Sequence, residues 1–215
     1  MQGTGAVINT FAGASYTEWL IGAGIVNADQ IDPSYDGGPA RFIAEGGDIL
    51  QQGFASQEPF NYENIFTDWG APVDFLLIHD SGFPIYQGAV AILDENLDDT
   101  ARSCLSALVP LIQQSAVDFQ NDPGATNAAI LQAVIDLDSF WQLTDESVVN
   151  TVQVMTDLGL VGNGPDGTLG NFDLGRVEDI ITAINEQVDS IEVPDGLRAE
   201  DLVTNEFIDP SIGFG

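Results

Sequence analysis

The residue types able to do chemistry gather in two short stretches. In the first, Gly13-Ala14-Ser15-Tyr16 follows the apolar run Val7-Ile8-Asn9. That order reads as a strand-to-helix junction, where free backbone N–H groups and the helix dipole favour an anionic or polar ligand group. Ser15 adds a hydroxyl and Tyr16 a stacking face, with helix capping as the plainer role for Ser15. In the second, Gly53-Phe54-Ala55-Ser56-Gln57-Glu58-Pro59-Phe60-Asn61-Tyr62 follows the run Ile49-Leu50. Pro59, with φ fixed and no N–H, suits a first helical turn and biases Glu58 toward an extended backbone at the strand tip. There Glu58 offers a carboxylate to an amine or ring N–H. Phe60 and Tyr62 flank a planar ligand, although they share a helix face poorly and Phe60 also suits a core. In an open α/β sheet such strand tips are where ligands bind.

Other chemistries find little support. The chain has no G-x-S-x-G elbow, P-loop, H-E-x-x-H motif or paired-cysteine metal site. His79 is the one histidine and closes an apolar run, so packing or a hinge role is favoured over ligand contact. Cys104 is the one cysteine, set in an apolar helical pattern and read as a small buried hydrophobe. The loop from Asn163 to Asp173 places oxygen donors at alternate spacings but lacks the distal bidentate Glu of a calcium loop. Asp36, in Tyr35-Asp36-Gly37-Gly38-Pro39, shapes a turn or caps a helix. Arg41 could pair with an anionic ligand, but Glu45 four residues on is the simpler partner. No metal and no cofactor are expected.

The elements that must position these residues follow from periodicity. Strands are expected over 4–10, 31–35 and 49–55, alternating with helices over 14–23, 38–45 and 59–66, which implies parallel β-α-β units. The runs 73–79 and 86–93 read as two more strands. From 97 onward the pattern is helical: 97–120 with Pro110 inside it, a helix from Pro123 to about 136, another over 145–158 capped by Thr144, and a last clear one after Asp173.

The order of these motifs resembles the back portion of periplasmic substrate-binding proteins of ABC importers. It is carried by Val7–Tyr16, Tyr35–Ala40, Glu58-Pro59-Phe60, Gly82-Phe83-Pro84-Ile85-Tyr86 and the ending Asp201–Pro210. The nearest branch handles thiamine-pyrimidine precursors, riboflavin, nitrate, taurine and sulfonates. The resemblance implies an α/β, type II periplasmic-binding-protein-like fold with two lobes and parallel-type sheets. Residues 1–74 would form the second lobe, and 75–215 would supply a return strand and the helices completing the first, with a hinge near 72–80. It implies non-covalent capture of a small organic solute, delivery to an ABC permease, a monomer, and a periplasmic or cell-surface lipoprotein location. Ser15, Tyr16, Glu58, Phe60 and Tyr62 are the expected ligand contacts. Members normally begin with a signal segment and a front half-lobe, neither of which is visible, so the expectation is an N-terminally truncated chain. A pyrimidine-synthesising enzyme shares this scaffold and resembles this family, but it uses a cysteine-rich cluster and a histidine. One cysteine and one histidine argue against that chemistry, and a ligand-sensing module of a receptor is the remaining alternative.

Composition narrows the partners. The 215 residues carry 34 acidic and only 4 basic side chains, all arginine, for a net charge of −30. Such a field repels nucleic acid and anionic lipid, whose binding depends on Lys and Arg. It also disfavours an anionic solute, so an uncharged or cationic nitrogen heterocycle is the preferred class. Hydrophobic content of 44% is too high for disorder. No apolar run approaches the roughly 20 residues that cross a bilayer.

Overall fold

The computed structural model describes residues 5–139 and 141–215. Its first third keeps the expected alternation with much shorter strands: β1 (Ile8–Asn9), α1 (Ser15–Gly22), β2 (Ile31–Asp32), α2 (Ala40–Ala44), β3 (Leu50–Gln51) and α3 (Glu58–Asn64). Residue 4, where the first strand was expected to begin, lies outside the described residues. All pairing is parallel in the order β2-β1-β3, with Ile8 in register with Ile31 and Leu50, and Asn9 with Asp32 and Gln51. The fold is therefore α/β. β1 sits centrally because the chain leaves it for β2 on one side and returns for β3 on the other. Strand order therefore reverses between the neighbouring β1 and β3, which is the switch-point arrangement of open parallel sheets.

The remaining helices are α4 (Asp99–Asn121), α5 (Gly124–Asp136), α6 (Asp145–Asp157), α7 (Leu174–Gln187) and α8 (Ala199–Leu202). Asp98 caps α4 by accepting the Ala101 N–H at 2.8 Å, and Thr144 caps α6 by accepting that of Ser147 at 3.1 Å. Each cap satisfies one of the donors a helix start leaves unpaired. α4 runs through Pro110 without ending there.

The chain divides into two compact units. One holds the residues up to Ile85 together with Arg176–Ala199, and the other holds Tyr86–Gly175 and Glu200–Gly215. The first contains the sheet and a core of Ile8, Trp19, Leu20, Val26, Phe83 and Val188. Trp19 and Phe83 stack at 5.2 Å between centroids, and Ala183 and Ile184 of α7 pack on that core. Burying each large apolar side chain contributes about 1.5–3 kcal/mol. A second apolar centre joins Phe42, Tyr62, Phe66 and Trp69 with ring centroids 4.9–6.1 Å apart.

The second unit is helical. Its organiser is the buried Gln113 of α4, which donates to the carbonyls of Leu169 (2.7 Å) and Asp209 (3.2 Å) and accepts the Asp209 N–H (2.9 Å). Asn163 exchanges two 2.8 Å hydrogen bonds with the Phe214 backbone, so the oxygen-rich loop ties down the chain's end.

Several expectations are corrected. Among the described residues there is one sheet, not one per lobe, and the second unit carries only an isolated bridge between Asn163 and Leu169. The runs 73–79 and 86–93 enter no ladder; apolar composition marks burial preference, while strand formation also needs a partner strand. Cys104 is exposed rather than buried, because α4 turns that side of its apolar pattern outward. Arg41 pairs with Asp32 of β2 and donates to Ser34 (2.7 Å), in place of Glu45. His79 is exposed and opens a 3-10 turn, so it packs into no core.

Candidate functional site

The candidate site is built at the carboxyl ends of β1 and β3. After Asn9 the chain bends through Gly13, whose φ of +75° suits glycine, and enters α1 at Ser15. Ala14 occupies the capping position and no side chain caps the helix. Ser15 is exposed, and its hydroxyl and N–H, with the N–H of Tyr16, have no partner among the described residues. These donors stand at the positive end of an eight-residue helix.

Gln52, just past β3, joins the two strand ends. Its N–H donates to the Asn9 carbonyl at 2.9 Å. Its Oε1 accepts from the Phe11 N–H at 3.0 Å and from the Tyr16 hydroxyl at 2.7 Å. Tyr16 is thereby held against the β3 side of the switch point, and burial pushes its phenol up to about 12.

Glu58 is the first residue of α3, not an extended strand tip, because the six residues 52–57, ending in a turn, separate it from β3. Pro59 occupies the second helical position, as its fixed φ favours. The Glu58 carboxylate folds back to accept the Phe54 N–H at 2.6 Å. Its path runs over Gly53, where a Cβ would lie 2.9 Å from the Glu58 Cγ. Burial raises the Glu58 pKa, opposed in part by hydrogen bonds from the backbone N–H groups of Phe54 and of Glu58 itself.

Tyr35 stands beside this acid. It is buried, its ring lies 4.7 Å from that of Phe11, and burial, with the Glu58 and Asp36 charges, pushes its phenol up to about 12. Asp36 itself accepts the Gly38 N–H at 2.9 Å and shapes the turn. Tyr62 is buried within the aromatic centre and accepts from Gln51 Nε2 at 2.9 Å. Burial also raises its pKa. Phe60 is half-buried and its ring pairs with no described aromatic.

Ser15, Tyr16 and Glu58 thus flank the ends of β1 and β3, while Tyr62 backs the wall from the protein side. The sequence motifs did not single out Gln52, Gln51, Asn9, Thr10 or Tyr35. Gln51-Gln52 directly precedes Gly53, and that polar pair ending an apolar run was the available signal. Thr10 Oγ1, Gln51 Oε1 and Asn61 Oδ1 are buried without a hydrogen-bond partner among the described residues, so polar capacity is unmet behind this surface. Chemically the arrangement offers neutral hydroxyl and amide groups, free N–H donors and one carboxylate. Among the described residues no group of three or more His, Cys, Asp or Glu could hold a metal ion.

No family model matches this chain, and neither the curated proteins nor the solved structures contain a match.

Proposed function

We propose that this chain is the solute-binding component of an ABC import system, with a type II periplasmic-binding-protein-like fold. It captures a small organic solute without covalent chemistry and delivers it to an ABC permease at the periplasmic or outer cell face. The observation that carries this reading is the pairing of free donors at Ser15 and Tyr16 with the Glu58 carboxylate around the β1–β3 switch point. Parallel sheets bind small ligands at such points. The favoured solute is an uncharged or cationic nitrogen heterocycle of the pyrimidine kind. Its N–H edge would meet Glu58, its acceptor edge Ser15 and the nearby N–H groups, and its flat face Tyr16 or Phe60.

The charge balance supports that class over sulfonates, since −30 opposes anion capture at long range. The test is thermal-shift and calorimetric titration of the chain with an aminopyrimidine, riboflavin and taurine. Stabilisation by the aminopyrimidine is expected, because ligand bound only to the folded state raises the melting temperature. Unmoved melting with all three would remove the solute-capture reading.

A further inference from the structure

Gln87-Gly88-Ala89-Val90-Ala91-Ile92-Leu93 is a seven-residue run without charge in a chain holding 34 acidic side chains. All seven residues are exposed, with Val90 at 54%, Ile92 at 44% and Leu93 at 65%. From 87 to 92 no backbone N–H or C=O is hydrogen-bonded to another described residue. The run belongs to no sheet and bends at Gln87-Gly88, where Gly88 has φ of +68°, but from Ala89 to Ile92 it combines the composition of a strand, the exposure of an interface and a backbone open to pairing.

We propose that residues 87–93 are a docking edge for an extended strand of another polypeptide, added by main-chain pairing. The backbone decides the kind of occupant. A helix satisfies its own peptide groups and would leave these unmet, whereas a strand supplies donors and acceptors along the whole run. Val90 and Ile92, two apart, point to one face of the resulting ladder and Leu93 to the other. The charges choose between partners. Asp94 and Glu95 follow the run at once, so an incoming strand with a basic end is favoured. A second copy would instead bring the same acids and a further −30.

The test uses the full chain and a fluorescent peptide of alternating valine and threonine ending in two lysines, in about 0.1 M salt. Anisotropy should report binding, and hydrogen exchange should slow at 87–93 on adding the peptide. Ala91→Pro and Ile92→Asp lie at exposed positions, and each should weaken binding about tenfold or more. The same peptide with a central proline should not bind. Absence of binding, binding indifferent to both variants, or no protection at 87–93 would overturn the proposal. Protection of 87–93 in the chain alone, with a dimer mass, would instead make the occupant a second copy and overturn the choice of partner.

Discussion

Glu58 separates the stability of the fold from its function at the level of a single residue. Burial raises its pKa, so the folded state holds the proton more tightly than the unfolded chain. The stability linked to Glu58 is then fully present below the unfolded carboxyl pKa and is lost as pH rises through the raised folded value. Ionised Glu58 therefore costs stability at neutral pH. Gln can still accept the Phe54 N–H, so Glu58→Gln should melt at or above the wild-type temperature at pH 7. The difference between the two should shrink on acidification, a comparison that cancels the other 33 acids. Under the solute-binding reading the same variant should weaken heterocycle capture about tenfold or more, through loss of a charge-assisted hydrogen bond. A variant less stable at pH 7 with unchanged binding would assign Glu58 to the loop alone. The sequence made Glu58 visible because Pro59 fixes the helix start beside it. Gln52 stayed hidden because its role depends on register: only when β3 lies beside β1 does its side chain reach Phe11 and Tyr16. Spacing along the chain carries no such information.

Among the elements, the approach of α1 to the end of α7 controls the first unit. A Cβ on Gly22 would lie 2.1 Å from the Gln187 carbonyl oxygen, with two more Gln187 backbone atoms within 2.9 Å. Helix propensity alone would reward Gly22→Ala by about 1 kcal/mol. The obstacle is backbone, which cannot rotate aside, and overpacking of this kind costs about 1–3 kcal/mol or more. The clash should win, and Gly22→Ala should lower the unfolding midpoint in urea with an unchanged slope. A stabilised variant would show that α1 and α7 sit further apart than described. The helices were legible because their signals are local: Thr144 before Asp145, and apolar residues three and four apart. The first three strands were legible through their alternation with helices, although only two residues of each enter the ladder. The runs 73–79 and 86–93 were misread because a strand is completed by a partner, and one sequence does not state whether that partner exists.

For the whole molecule, electrostatics sets the response to salt. The net charge of −30 is spread over a chain whose four cations are all arginine. Arg41 forms a half-buried ion pair with Asp32 and Arg102 an exposed one with Glu206. Salt acts on these terms in opposite directions, weakening the ion pairs and screening the repulsion among the acids. Ion pairs at or near the surface contribute little to stability, and four cations stand against 34 carboxylates, so relief of repulsion should dominate. The screening length falls from about 10 Å at 0.1 M to about 3 Å at 1 M. The melting temperature should therefore rise steeply with sodium chloride over that range and then flatten, since little repulsion remains to be screened. Sodium sulfate gives the control, because exclusion of sulfate from the surface keeps stabilising at higher concentration. A curve that rises and flattens in chloride but keeps climbing in sulfate identifies screening as the first phase. A flat or falling curve in chloride would mean that the acids are spaced widely enough to ignore one another. In that case the same weakness of the field would remove the long-range argument against anionic solutes, leaving ligand class to Ser15, Tyr16 and Glu58.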